Sequence, residues 1–412
     1  MSTAIYTHAD CRLHDMGAGH PECPQRLDAI ADQLLSSGLG MALDHRDAPL
    51  ATIAQIERAH TAHYVTQLRD FLEQVQDSGE SRHLDPDTVA CPGTWRAALR
   101  SAGAAVAATE AVWRGEVENA FCATRPPGHH ATRDETMGFC FFNNVAIAAR
   151  HALDVLGVER VAIIDFDVHH GNGTEDIIAG DDRVLMASFF QHPLYPGNGA
   201  VPKGTNMVNV PIPPYTRGME LREIIDVMWM PRLEEFRPQM LFISAGFDAH
   251  REDDLGQLGL VEADYEWITL RLKGLAERHA QGRIVSCLEG GYNLSALARS
   301  VAAHLRADAS PCYHCLFPEG EDVEEVRCAV MGIFAPLTGI VGAVQAAEAL
   351  KLLAGCGETL TGRLMLLDAL EMDWRSVRLT PAGEHLLADE VAPLVVPALA
   401  QLHGTGADAP TA

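Results

Sequence analysis

From about Phe121 onward the chain alternates short, nearly continuous apolar runs with longer amphipathic segments, the rhythm of a βαβ-type sheet. The runs are Ala120–Ala123, Val161–Phe166, Val184–Ala187, Met240–Ser244 and Ile284–Leu288. Each is rich in Val, Ile, Leu or Phe, which predicts parallel strands buried on both faces. Helical segments such as Trp95–Trp113 and Met219–Phe236 fall between them. The stretch Ala307–Cys328 breaks the rhythm with Pro, Gly and an acidic cluster, so a domain boundary is expected near Ala307. Beyond it, the apolar stretch Ala329–Val344 is shorter than the ~20 residues a bilayer requires and contains Pro336 and Thr338. It reads as a buried helix or strand pair. The residues from Gly404 onward read as a frayed tail.

Polar residues cluster where the predicted strands end, and in open α/β sheets ligands bind outside the carboxyl ends of the strands. Ala120–Ala123 is followed by Arg125-Pro-Pro-Gly-His129-His130, and Val161–Ile164 by Asp165-Phe-Asp167-Val-His169-His170-Gly-Asn172. Met240–Ser244 leads to Phe247-Asp248-Ala-His250, and Ile284–Leu288 to Glu289-Gly-Gly-Tyr292. On an extended chain Asp165, Asp167 and His169 would share one face. One imidazole and two carboxylates, Asp167, His169 and Asp248, make three protein ligands and leave a position open, the pattern of a catalytic zinc site. The bland alternative, that Asp165 and Asp167 cap the next helix, does not explain an acidic residue at a second strand end. The His129-His130 pair could serve as base and acid. Asp165 and Asn172 could each orient one of the two rings, and Tyr292 could stabilise a developing oxyanion.

Composition narrows the partners. The chain has 412 residues and a net charge of −25, from 31 Lys+Arg against 56 Asp+Glu. It lacks the basic face of a nucleic-acid binder and suits a cationic partner. Ten cysteines lie mostly alone in apolar context, and the N-terminus lacks a charged region followed by an apolar one, so a reducing cytoplasm is expected.

With these residues in view, residues about 3 to 307 resemble the zinc-dependent histone deacetylase and acetylpolyamine amidohydrolase superfamily, specifically its class II-like bacterial deacetylases. The resemblance is carried in family order by Gly19-His-Pro-Glu22-Cys-Pro-Gln-Arg26, Leu84-Asp85-Pro-Asp87-Thr88, RPPGHH, Gly138-Phe139-Cys-Phe-Phe-Asn-Asn144, DFDVHHGNG, Leu194-Tyr195-Pro-Gly-Asn-Gly199, AGFDAH and EGGY. It implies an arginase/deacetylase-like α/β fold, a mostly parallel sheet flanked by helices. It further implies zinc on Asp167, His169 and Asp248, His129 and His130 as an acid/base pair backed by Asp165 and Asn172, and Tyr292 as carbonyl polariser. A monovalent cation, potassium, is implied at Asp165, Asp167, His169, Ser188 and Phe189, and an acyl-lysine tunnel at Gly138, Phe139 and Tyr195. The expected reaction is hydrolysis of an acetylamide, acetyl-lysine or a small acetylated amine, to acetate and free amine. Leu255 stands where the polyamine-selective enzyme places a gatekeeping Glu, which weighs against acetylpolyamines, and Asp254 replaces the usual Pro of that loop.

Residues about 311 to 378 resemble the C-terminal part of ThiF-type adenylyltransferases, through Pro311-Cys312-Tyr-His-Cys315, Cys328, GIFAPLTGIVGAVQAAEALKLLAG and Gly362–Ser376. No Gly-x-Gly-x-x-Gly nucleotide loop precedes the segment, and one Cys pair does not close a tetrahedral zinc site. The expected domains are thus a deacetylase over 1–307, an incomplete ThiF-like segment over 308–378 without adenylation activity, and a C-terminal helix or tail over 379–412. The apolar helix Ala343–Leu353 is expected to pack on the deacetylase or to mediate homo-oligomerisation. An arginase-like dimanganese hydrolase lacks its additional bridging ligands here, and a non-enzymatic scaffold has no reason to keep every catalytic position.

Overall fold

Eight strands form one sheet, and every neighbouring pair in it is parallel. The structure is a computed structural model that describes residues 3–306, 335–354, 357, 360, 363–368 and 373–378. The strands are β1 (Thr3–Thr7), β2 (Asp44–Asp47), β3 (Asn119–Cys122), β4 (Val161–Asp165), β5 (Val184–Gln191), β6 (Met207–Ile212), β7 (Met240–Ala245) and β8 (Ile284–Leu288). They lie side by side in the order β2-β1-β3-β8-β7-β4-β5-β6. The five runs read from the apolar pattern are β3, β4, β5, β7 and β8. β1, β2 and β6 were not in that pattern. β2 (DHRD) is an edge strand without an apolar residue, and β6 carries Asn209 and Pro211 on the opposite edge.

The period of two along each strand builds both layers of core. Val161, Ile163, Phe242 and Val285 face α2 (Ala62–Ser78), α3 (Thr94–Trp113) and α4 (Asn144–Asp154). Ala162, Ile164, Ile243 and Leu288 face the other way, toward α1 (Gln25–Ser36), α7 (Glu262–His279) and α8 (Leu294–Arg306). Between these come the short α5 (Asn172–Ile178) and a composite helix, α6. The expected helix Met219–Phe236 exists with an interruption: Gly218–Ile224 passes through a π turn, Ile225–Trp229, into Met230–Phe236. Pro231 has no N–H to donate, and the Met230 N–H reaches back to Ile225 O, the wider π pattern.

The chain divides into two compact units, Met1–Ala307 and Asp308–Ala412. In the second, Ala335–Ala354 is helix α9, and strands β9 (Arg363–Asp368) and β10 (Asp373–Arg378) pair antiparallel. Of the apolar stretch Ala329–Val344 expected to be buried, residues 329–334 lie outside the described residues, and Val341 is exposed. Cys312, Cys315, Cys328, Cys356 and the expected tail over 379–412 lie outside the described residues. Among the described residues no helix is long and apolar enough to cross a membrane.

Three core histidines make stability pH-dependent. His14, His60 and His304 are buried, and burial holds each down at about 4, partly offset at His14 by Glu22. A histidine with a depressed folded pKa binds fewer protons than the unfolded chain between the two values, so stability rises with pH across that window. Each contributes up to roughly 3 kcal/mol that appears between about pH 4 and 6.5, while Asp248 and Glu289, both raised to about 7, titrate across the same range with the opposite sign. The native protein should therefore gain on His60→Gln by that amount as pH rises from about 4 to 6.5; an unchanged difference in equilibrium unfolding would contradict it.

Candidate active site

The carboxyl ends of β3, β8, β7, β4 and β5 are neighbours in the sheet, so the residues that follow them meet. Asp165 ends β4, and the chain bends at Asp167–His169 rather than staying extended. The three residues therefore do not share the face expected from strand alternation: a turn brings Asp167 and His169 round, and Asp165 stays at the strand end. The Asp167 N–H donates to Asp165 Oδ1 at 3.1 Å, and the His169 N–H donates to Asp167 Oδ1 at 2.9 Å. The result separates roles: Asp167 and His169 turn toward Asp248, and Asp165 turns toward His129. Neither aspartate caps α5, whose N-terminal flanking residue is Gly171 with no side-chain cap.

Asp167, His169 and Asp248 offer one ligand atom each within 4.8 Å of one another, and all three are buried. His169 Nδ1 lies 3.0 Å from Asp167 Oδ1 and 3.1 Å from Asp248 Oδ2. Burial opposes charge on His169, but hydrogen bonds to Asp167 and Asp248 outweigh it and push it up to about 10. Burial, then the charge of Asp167, pushes Asp248 up to about 7. Two buried carboxylates thus share one imidazole, a donor set that gains from a cation between them. The backbone leaves room for that set only through glycine: a Cβ on Gly246 would sit 2.0 Å from Asp167 Oδ2, and one on Gly290 2.1 Å from Asp248 Oδ2. The three residues fit a divalent metal.

The tandem histidines have different partners. His129 Nδ1 lies 3.0 Å from Asp165 Oδ2, and its Nε2 lies 3.8 Å from Asp167 Oδ2. His130 Nδ1 lies 2.7 Å from Asn172 Oδ1, while Asn172 Nδ2 donates to Met137 Sδ at 3.2 Å. That orientation of the amide makes His130 Nδ1 the donor and leaves Nε2 with its lone pair. The rings are 4.0 Å apart. Burial disfavours charge on both, but the carboxylates of Asp165 and Asp167 outweigh it and raise His129 well above the usual histidine value. At His130 burial is reinforced by His129 and His169, and the ring is held well below that value.

Aromatic walls surround the pair. The Tyr195 ring stands edge-on to His130 at 5.1 Å, and Phe139 stands edge-on to Tyr292 at 5.9 Å. Gly138 passes so close to His130 that a Cβ would fall 2.4 Å from its ring, and Phe139 follows at a left-handed φ of 69°. Burial, then Asp248, raises the Tyr292 phenol well above its ordinary value, so it stays a hydrogen-bond donor. Leu255 is half-buried on a loop fixed by its own N–H to Asp253 Oδ1, 3.1 Å. Ser188 and Phe189 are buried in β5, with Ser188 in register beside Asp165 and its Oγ without a hydrogen-bond partner among the described residues.

Several residues here stood in the motifs without a role being read for them. Glu289 Oε2 accepts the N–H groups of Gly128 at 2.6 Å and His129 at 3.1 Å, and Oε1 accepts from Ser244 Oγ at 3.1 Å. Arg26 Nε donates to Gly291 O at 2.7 Å, and its guanidinium lies 5.1 Å from the Tyr292 ring centre. Glu22 binds both Arg26 and Arg125 with every side chain buried. For Glu289 and Arg125 the available signal was a charged residue at an apolar or glycine-rich strand end.

Comparison with known proteins gives two family matches. The histone deacetylase domain family model matches residues 20–307, and the ThiF family model matches residues 290–386, so the latter begins earlier than the 311 read from motifs. A probable deacetylase of Archaeoglobus fulgidus is 39% identical over 305 residues, covering 71% of this chain and 82% of that protein. A histone deacetylase-like amidohydrolase of Pseudomonas aeruginosa is 39% identical over 283 residues, covering 67% and 73%. The crystal structure of the HDA15 HD domain superposes with a TM-score of 0.69 at 33% identity, covering 74% of this chain and 88% of that one.

Proposed function

The chain belongs to the histone deacetylase family, and from that premise we propose that it is a zinc-dependent amidohydrolase releasing acetate from acetyl-lysine in peptides or proteins, or from a related small acetylated amine. One observation carries the reading: three buried metal-fitting side chains lie beside two histidines whose surroundings push them in opposite directions. Asp167, His169 and Asp248 would hold the zinc. When bound, zinc supplies Lewis acidity, polarising the amide carbonyl and making water a competent nucleophile near neutral pH.

The chain's own groups divide the remaining work. His130 is neutral, with Nδ1 donating to Asn172, so its Nε2 is suited to take the proton of the attacking water. His129, backed by Asp165, is suited to carry a proton and deliver it to the departing amine. Tyr292 keeps its phenolic proton and donates to the carbonyl oxygen as charge develops. Gly138, Phe139 and Tyr195 would wall the lysine stem, with Leu255 at the rim. A potassium ion at Asp165, Asp167, His169, Ser188 and Phe189 is supported by the unpartnered Ser188 Oγ. Acetylpolyamines are the second substrate class, disfavoured by an apolar Leu255 where a cation would need an acid. The free buried thiols of Cys122 and Cys287, in register on β3 and β8, suit a reducing cytoplasm, and the ThiF-like segment would serve association rather than adenylation.

The test is acetate release from acetyl-lysine peptides, acetylputrescine and acetylspermine, with metal analysis. One zinc per chain is expected, and Tyr292→Phe should lower kcat by ~10²–10³. A zinc-loaded sample that hydrolyses no acylamide overturns the proposal.

A further inference from the structure

The loop that carries Asp248 onward to the rim and the turn that carries Tyr292 are tied by one carboxylate. Asp253 is 5% exposed. Its Oδ1 accepts the Leu255 N–H at 3.1 Å. Its Oδ2 accepts the N–H groups of Tyr292 at 2.6 Å and Asn293 at 2.9 Å. On the far side, Asn293 Oδ1 accepts the Ala296 N–H at 3.0 Å and its carbonyl accepts the Leu297 N–H at 2.8 Å, so the turn is anchored to α8. A second tie, the Phe247 N–H donating to Gly290 O at 3.0 Å, joins the same two segments nearer the sheet. The Tyr292 ring is steered by Arg26 and Phe139, but its backbone amide goes to Asp253. The exposed Asp254, which replaces the family's Pro, does not shape the loop through these bonds; Asp253 does.

We infer that Asp253 is a positioning residue for the proposed deacetylation: its two oxygens fix the Tyr292 turn and the Leu255 rim together, so chemistry and substrate selectivity are set by one group. The inference rests on the proposed function. A neutral amide cannot do the same work. Asn at 253 has a single acceptor oxygen, which can serve the Leu255 N–H or the Tyr292 and Asn293 pair, while its NH₂ faces donors on the other side. An exclusively structural carboxylate would alter stability without acting through Tyr292.

The experiment uses the full-length, zinc-loaded protein and compares Asp253→Asn, Asp253→Glu and the exposed neighbour Asp254→Asn. Asp253→Asn is expected to lower kcat at least ~10-fold in the native background but less than about 2-fold on top of Tyr292→Phe, because both changes remove the same contribution. The ratio of kcat/KM for an acetyl-lysine peptide over acetylspermine should shift in the same variant. Asp253→Glu, which keeps the charge and both oxygens, should lie between, and it serves as the readout if the Asn variant does not fold. Hydrogen exchange read by mass spectrometry should speed at least ~10-fold in both 251–257 and 289–297 for Asp253→Asn, and in neither for Asp254→Asn. Equal kcat losses in the native and Tyr292→Phe backgrounds, or exchange altered in one segment alone, would overturn the inference. Should the native protein hydrolyse no acylamide, the functional reading falls, while exchange still decides whether Asp253 couples the two segments.

Discussion

Glu22→Gln is expected to cost about 3–5 kcal/mol of folding stability, because it leaves two buried guanidinium groups without their counter-ion. Glu22 lies 103 residues from Arg125 in sequence and four from Arg26, and all three side chains are fully buried. Burial alone would raise the Glu22 carboxyl, but Arg125 and then Arg26 outweigh it and hold it down at about 2. The sign follows from that depression. The contribution is complete above the unfolded value near 4.5 and is lost as pH falls toward 2, so at neutral pH the variant forfeits all of it. The loss should also reach the active site. Arg26 donates to the carbonyls of Glu289 and Gly291 and covers the Tyr292 ring, so a displaced Arg26 loosens the turn on which the proposed carbonyl polariser sits. Equilibrium denaturation at pH 7 and at pH 3 checks both parts: a large deficit at pH 7 that narrows at pH 3. A deficit under about 1 kcal/mol at pH 7 would mean the cluster is no more than an exposed ion pair in its energetics.

That cluster also marks where sequence reading stops. Parallel strands buried on both faces have to be apolar, so β3, β4, β5, β7 and β8 stood out; the polar edge strand β2 could not. The metal-fitting and histidine pairs were legible because ligand chemistry restricts residue type and the strand ends gather them. The reason offered for Asp165, Asp167 and His169 was only partly right, since a turn rather than a strand brings Asp167 and His169 round. Glu22, Arg125 and Glu289 were legible only as letters within motifs, and Asp253 only as a neighbour of Asp254 and Leu255. Their long-range partners lie 39 to 161 residues away, and nothing local distinguishes a carboxylate that binds backbone amides across the molecule from one that faces water. Glu289 shows the difference in kind: burial pushes it up to about 7, yet two N–H groups and a serine hydroxyl account for its oxygens.

Gly290→Ala, which removes no functional group, is expected to lower metal affinity by roughly 10–100-fold and to take the hydrolytic activity with it. The added methyl would stand 2.1 Å from Asp248 Oδ2 and 2.6 Å from Asp167 Oδ2, far inside van der Waals contact with two of the three proposed ligands. Neither side can easily give way. The Gly290 N–H donates to Asp167 Oδ2 at 2.9 Å, its carbonyl accepts the Phe247 N–H at 3.0 Å, and the next residue's carbonyl is held by Arg26. Asp167 is also closely approached by Gly246, where a Cβ would lie 2.0 Å from the same oxygen. The carboxylates must therefore rotate, and a ligand set displaced by a few tenths of an ångström no longer meets one ion. Metal content after dialysis, together with the rise in melting temperature on adding zinc, separates this from simple misfolding: the variant should fold, retain little metal and respond weakly. Stoichiometric zinc with native activity in Gly290→Ala would show that the ligands have slack that the packing around them denies.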